Sequence, residues 1–334
     1  MQHRRLGDSG LSVSRLSYGN WLNSTTSEDL DNEKACVLAA LEAGITTFDT
    51  ADAYGRGTAE TTLGHVIAHQ PRESLVLMTK CYFPMGEGPN DSGLGRKHIH
   101  ESLHGSLRRL GTDYVDVYQA HRFDATVPLE ETMVAFADLV RQGKVLYIGT
   151  SEWTAEQIVR GQRLAQELRV PLISNQAQYS LLWRVPEAQV MPTSMREGLG
   201  TIVWSPLAQG VLTGKYQRSA PPPPGSRATN TQATDGRGGK FFRDFLHDDV
   251  LARVADLSQV ADELGCSMAS LALAWVLRND AVSTAIIGAS RPTQVAQNVA
   301  ALDVEISDDM MERMDKILGE VAVTASTYDQ TPHL

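Results

Sequence analysis

The chain has 334 residues, 42% of them hydrophobic and 21% charged, with a formal net charge of −10. That balance supports a large buried core and argues against a nucleic-acid partner, which needs clustered cations. No apolar run is long enough to span a bilayer, and the basic start Met1-Gln2-His3-Arg4-Arg5 precedes no apolar stretch, so neither membrane insertion nor a signal peptide is expected.

Taken from the N-terminus, Leu6-Gly7-Asp8-Ser9-Gly10-Leu11 reads as a hairpin turn joining two short strands. β-rich runs follow at about 15–19, 46–50, 75–80, 115–121, 145–150, 172–178, 201–205 and 284–288. Helical patterns lie near 31–43, 59–69, 98–110, 130–142, 154–168 and 186–198, and two more near 249–264 and 267–278 precede the last strand. The first carries Ala35, Leu38, Ala39 and Ala43 on one face and stops at Gly44; the fourth ends the same way at Arg141-Gln142-Gly143. Strands alternating with helices imply parallel pairing, and this many units favour closure. The expected fold is α/β, a (β/α)8 TIM barrel with an N-terminal β-hairpin and extra helices, spanning 1–334 as a single domain. A doubly wound sheet is the alternative, but no Gly-x-Gly-x-x-Gly follows the first strand. Residues 217–239, rich in Pro, Gly, Ser and Thr, break the rhythm after the seventh barrel strand and are expected to form a mobile loop over the active rim.

In a barrel the C-terminal strand ends carry the chemistry. Asp49, Lys80 and His121 end three successive runs, and Tyr54 follows the first of them. An ammonium beside a phenol should lower the phenol's pKa, and a nearby carboxylate should keep a buried lysine charged. An imidazole on the same rim could orient a substrate oxygen. That set suits proton donation to a carbonyl.

Phe48-Asp49-Thr50-Ala51-Asp52-Ala53-Tyr54-Gly55 resembles the signature of the aldo-keto reductases, and Thr79-Lys80 and Ala120-His121 match the family's other two catalytic segments. The likeness covers nearly the whole chain. Leu6-Gly7, Ser9-Gly10-Leu11, Val13-Ser14, Trp204-Ser205-Pro206-Leu207-Ala208, Gly214-Lys215-Tyr216 and Leu264-Gly265-Cys266 are similar to the branch containing voltage-gated potassium channel β subunits and their microbial relatives. The resemblance implies a catalytic tetrad of Asp49, Tyr54, Lys80 and His121 with Tyr54 as general acid. It also implies NADP(H) bound extended across the barrel mouth without a Rossmann domain. Ser290, Arg291, Gln294 and Asn298 would hold the 2′-phosphate, where Gly288 permits close backbone approach and Pro292 opens a helix. Ser151, Asn175 and Gln176 match carboxamide-holding positions, and Trp204 or Tyr179 would flank the nicotinamide. Ser205, Leu207, Gln209 and Lys215 match the pyrophosphate stretch, and Arg227 would clamp the cofactor from the loop. Asp49 and Trp21 also count among the cofactor contacts, and Trp21, Tyr82, Phe83 and Trp153 are candidates to line the substrate pocket. Glu152 and Gln209 depart from the channel subunits, which commonly carry arginine and cysteine there. His121 is the residue of active reductases, where channel subunits often have asparagine.

The expected function is therefore NADPH-dependent reduction of a small aldehyde or ketone by a cytoplasmic protein, tetrameric if it follows its relatives. The alternatives are a redox-responsive accessory subunit of a channel and a Schiff-base lyase using Lys80. No metal site is expected: His65 and His69 lack a third ligand, and His98 and His100 point in different directions on a helix. Cys36, Cys81 and Cys266 have no ligand-like spacing and fit a reducing compartment, with Cys81 read as a small core residue.

Overall fold

The computed structural model describes residues 1–21, 27–229, 242–243 and 245–325. Two short antiparallel strands, β1 (His3–Arg5) and β2 (Ser12–Ser14), form the predicted hairpin. Eight parallel strands then close into a barrel: β3 (Leu16–Gly19), β4 (Thr47–Asp49), β5 (Val76–Cys81), β6 (Val115–Ala120), β7 (Val145–Ser151), β8 (Leu172–Gln178), β9 (Gly200–Trp204) and β10 (Val282–Ile287). β10 pairs with both β9 and β3, so the cylinder has no free edge. The expected barrel is the fold.

Helices α1 (Ser27–Glu42), α2 (Thr58–Ile67), α3 (Arg96–Leu110), α4 (Leu129–Arg141), α5 (Ala155–Leu168) and α6 (Val190–Arg196) connect successive strands. The single stretch expected over 186–198 is instead a short 3-10 turn, Val185–Glu187, followed by α6. Pro192 explains the break, because it has no N–H to donate to the Ala188 carbonyl and its ring crowds that oxygen. α7 (Asp248–Glu263) and α8 (Met268–Leu277) precede β10, and α9 (Pro292–Val299) and α10 (Asp308–Leu318) follow it. No single helix among the described residues is long and apolar enough to cross a membrane. α7 and α8 pass that test only as a pair bent by 86°, and every residue of α8 except Ala269 is buried.

Two apolar layers hold the barrel. The larger lies between strands and helices; the smaller fills the barrel floor with Val76, Met78, Val117, Ile173 and Ile202. Leu6 and Val13 of the hairpin join that floor with no exposed surface. The hairpin therefore plugs the N-terminal end, leaving the C-terminal mouth as the open face. Its tip is docked by backbone contact: the Asp8 N–H donates to the Gly198 carbonyl at 3.0 Å. Gly7 makes this possible, since it has φ +60° and a Cβ there would fall 2.3 Å from the Gly198 carbonyl oxygen. Gly7→Ala is expected to lower stability by about 2 kcal/mol or more in urea unfolding, from strain and backbone displacement together. Gly10→Ala, whose added Cβ meets nothing within 4 Å, should be nearly neutral; equal midpoints for both variants would remove the plug from the stability argument.

Candidate active site

Strand alternation turns Asp49, Lys80, Gln119 and Gln176 into the barrel mouth, and parallel register brings Lys80 beside Gln119. Lys80 has no exposed surface and Asp49 only 3%. The Lys80 Nζ donates to Asp49 Oδ2 at 2.6 Å, to the Thr50 carbonyl at 2.8 Å and to the Tyr54 hydroxyl at 3.3 Å. An ammonium has three protons, so all are assigned. The other Asp49 oxygen accepts from Gln176 Nε2 at 2.9 Å and from Gln119 Nε2 at 3.3 Å. Gly149 makes room for Gln119: a Cβ at 149 would lie 2.8 Å from the Gln119 Cγ. Gln119 escaped the sequence reading, although a polar residue two before His121 in an apolar strand is a legible sign of an inward-facing group.

Tyr54 stands on the turn after β4, where Gly55, Arg56 and Gly57 all have positive φ. This tight reversal carries the phenol back over the barrel. Its ring lies 5.7 Å from the His121 ring, edge to face, and the His121 ring packs in turn on Phe83 at 4.8 Å. The structure thus brings Asp49, Tyr54, Lys80 and His121 together.

The electrostatics differ in one respect from the sequence expectation. Burial raises the Tyr54 phenol above its ordinary pKa, and the Lys80 charge offsets this only in part. Burial works against the Lys80 charge, but Asp49 and Tyr54 outweigh it and hold the amine above its ordinary value. A charged amine with three bonded protons is a poor Schiff-base nucleophile. Burial, then the charges of Lys80 and Arg122, push His121 well below the usual imidazole range, so it is neutral at pH 7.

The second group of predicted residues gathers beside β9 and β10. Ser205, Ala208, Gln209 and Gly210 all have positive φ, and the Gln209 N–H donates to Ser205 Oγ at 3.1 Å. Lys215 Nζ lies over this turn, 3.2 Å from where a Gly210 Cβ would stand. Burial, then the charges of Arg227 and Arg291, lower the Lys215 pKa, which places three cations within mutual reach. None of the three has a carboxylate partner among the described residues. Such a cluster fits the phosphates of a dinucleotide. Arg291 caps α9 without a side-chain bond; Pro292 has no N–H and the Gln294 N–H donates to the Arg291 carbonyl at 3.0 Å, which leaves the Thr293 N–H of the first turn for an anion. Gln294 Oε1 accepts from the Ser290 N–H at 2.8 Å, Asn298 is buried, and Gly288 is open to approach. Arg227 stacks over Trp21 at 5.3 Å, and Trp21 is 40% exposed. Residues 230–239 of the predicted loop lie outside the described residues.

At the β7 and β8 ends, Ser151 is buried and Asn175 Nδ2 is buried without a partner among the described residues, which suits an incoming amide. Gln176 spends its Nε2 on Asp49 and Gln119. Glu152, at φ 58°, accepts from the Gln178 N–H at 2.7 Å and from Trp204 Nε1 at 2.8 Å, fixing the indole at the mouth. Three expected placements fail here. Tyr179 does not share this position with Trp204; it is buried against Trp275 and bonded to Glu187. Trp153 does not line a pocket; it is 1% exposed and packs on Phe123 beneath α5. Tyr82 is buried too, whereas Phe83 walls the site. Among the described residues no group of three or more His, Cys, Asp or Glu could hold a metal, and His65 and His69 are exposed.

Behind the Tyr54 turn, Asp52 is fully buried and accepts from Ser102 Oγ. Burial pushes its carboxyl up to about 7; Ser102 and Arg109 oppose the shift and Glu60 adds to it. The folded state therefore holds a proton that the unfolded state releases near 3.8, so stability declines as pH rises from about 4 to about 7 and stays lowered above. Asp52→Asn should gain stability over the parent between pH 5 and pH 8, reaching about 1–4 kcal/mol at the upper end. A difference independent of pH in chemical unfolding would contradict the buried-proton assignment.

A model of the aldo/keto reductase family matches residues 15–319. The chain is 42% identical over 334 residues to a protein of Oryza sativa subsp. japonica named "Probable voltage-gated potassium channel subunit beta", covering 98% of this chain and 100% of that one. It is 40% identical over 308 residues to a protein of the same name from Arabidopsis thaliana, covering 91% and 92%. A Schizosaccharomyces pombe protein, also named as a voltage-gated potassium channel subunit beta, is 39% identical over 94% of this chain and 92% of its own length.

Proposed function

The chain belongs to the aldo/keto reductase family of oxidoreductases, and from that membership and the geometry of the mouth we propose that it is an NADPH-dependent carbonyl reductase converting an aldehyde or ketone to the alcohol. One observation carries the reading. Because Lys80 donates to the Tyr54 hydroxyl, that oxygen is an acceptor on its inner side and its own proton is available to a substrate oxygen. Bound NADPH would supply the hydride. Tyr54 gives its proton as negative charge builds on the carbonyl oxygen, and Lys80 stabilises the phenolate left behind. Asp49 keeps Lys80 charged, and neutral His121 offers an N–H to the same oxygen. Lys215, Arg227, Arg291, Ser290, Gln294 and Asn298 hold the phosphates, Ser205, Leu207 and Gln209 supply the turn beneath them, and Ser151, Asn175 and Trp204 frame the nicotinamide. Trp21 and Arg227 cover the mouth from above. We place the protein in the cytoplasm as a homo-oligomer, tetrameric by its resemblance.

The relatives' names favour a second reading, an accessory subunit whose bound nucleotide reports redox state to a channel. Multiple turnover of aldehydes by the isolated chain supports the reductase; a single slow turnover with retained nucleotide supports the subunit. Tyr54→Phe should lower kcat by about 10^2- to 10^4-fold with NADPH binding unchanged, and full kcat would end its role as the acid. Arg291→Ala should weaken NADPH about 10- to 100-fold and leave NADH unaffected. Equal losses for both nucleotides would take Arg291 off the 2′-phosphate.

A further inference from the structure

Arg122 follows His121 and has no part in the proton transfer just described. The backbone around it is held on both sides. His121 packs on Phe83, Phe123 packs on Trp153 at 5.1 Å, and Asp124 accepts from the Leu94 N–H at 2.8 Å, tying this loop to the one after β5. The guanidinium is half-buried, stands 5.6 Å from the centre of the Phe83 ring and gives one N–H to the His121 carbonyl at 2.6 Å. Its charge is felt at both the Tyr54 hydroxyl and the His121 ring. Arg122 therefore flanks the place where a carbonyl oxygen would sit.

No carboxylate answers this charge among the described residues. Every carboxylate bonded to an arginine elsewhere in the fold pairs with a different residue, and Asp49 is spent on Lys80. A half-buried guanidinium with most of its five donors unassigned can exchange water for an incoming anion. The neighbouring wall, Phe83, is apolar and aromatic. A single planar fork over an aromatic wall matches one carboxylate held in two parallel hydrogen bonds.

We propose that Arg122 is a substrate-specificity residue, selecting carbonyl compounds that carry a carboxylate a short distance from the reacting carbon. The inference rests on the reductase reading and names the substrate class of that same site. The body of the protein, at −10, repels anions, so a local cation at the mouth is what would admit one.

The test compares 4-carboxybenzaldehyde with its neutral methyl ester, using the full chain and NADPH. The parent should prefer the acid, and Arg122→Gln should cut the acid-over-ester ratio of kcat/KM about 10- to 100-fold, mainly through KM, while ester reduction stays within about 2-fold. Arg122→Lys, which keeps the charge without the fork, should fall between. An unchanged ratio overturns the proposal. An equal loss on both substrates also overturns it, because Arg122 would then act on Tyr54 rather than on substrate. If the parent reduces neither aldehyde, the reductase reading fails and calorimetric titration with benzoate decides the inference separately: binding lost in Arg122→Gln upholds an anion site, and binding absent or indifferent to the substitution overturns it.

Discussion

The ion pair between Lys80 and Asp49 is the constraint on which the rest of the mouth depends. Both groups are almost wholly out of water, and each such burial costs several kcal/mol unless every donor and acceptor is matched. Here the matching is complete on the lysine side, and Asp49 accepts on both oxygens from three side chains. The pair thereby links β4 to β5, β6 and β8 at one level of the barrel. Apolar residues of similar volume would fill the same space at less cost. A charged layer directly above an apolar floor of Val76, Met78, Val117, Ile173 and Ile202 marks where stability gives way to chemistry.

The backbone shows the same division. Of the seven non-glycine residues with positive φ among the described residues, all but Arg169 lie in connections leaving the C-terminal ends of strands: Arg56, Glu152, Ser205, Ala208, Gln209 and Ser219. Each costs on the order of 1–3 kcal/mol. Glu152 shows what holds such strain in place: its carboxylate takes one backbone N–H from the β8 end and the indole N–H of Trp204, so a single strained residue ties β7, β8 and β9 together at the rim. The departure from arginine at this position thus has a structural partner in Trp204.

The eight strands and the tetrad were legible because both depend on spacing along the chain: short apolar runs at regular intervals, each ending in a group unlike the run itself. Side-chain partners across the barrel were not. Nothing along the chain couples Gln119 to Gln176 and Asp49, since their meeting depends on closure and on the side-chain room left by Gly149. Trp153 and Tyr179 were misplaced for a related reason: an aromatic just past a strand end can turn up to the mouth or out beneath a helix, and only packing against Phe123 or Trp275 decides. α10 was missed although its signals are present. Ser307 caps it by accepting from the Met310 N–H, Asp308 and Asp309 suit its first turn, and Gly319 follows its end.

The sequence also suggested that Lys80 would lower the phenol's pKa, whereas burial leaves it raised. The difference sharpens the role of the lysine. A general acid must keep its proton until the substrate oxygen gains charge, so a depressed resting pKa would only empty the donor early. What matters is the energy of the phenolate at the moment of transfer. Burial raises that energy, and an ammonium fixed at 3.3 Å from the oxygen lowers it without any rearrangement. Burial is the larger effect, and Asp49, which holds the ammonium on the far side, adds to it, so the shift at rest is not downward. The arrangement keeps the proton on Tyr54 before reaction while placing its counter-charge in advance, and both properties follow from burying the three groups together.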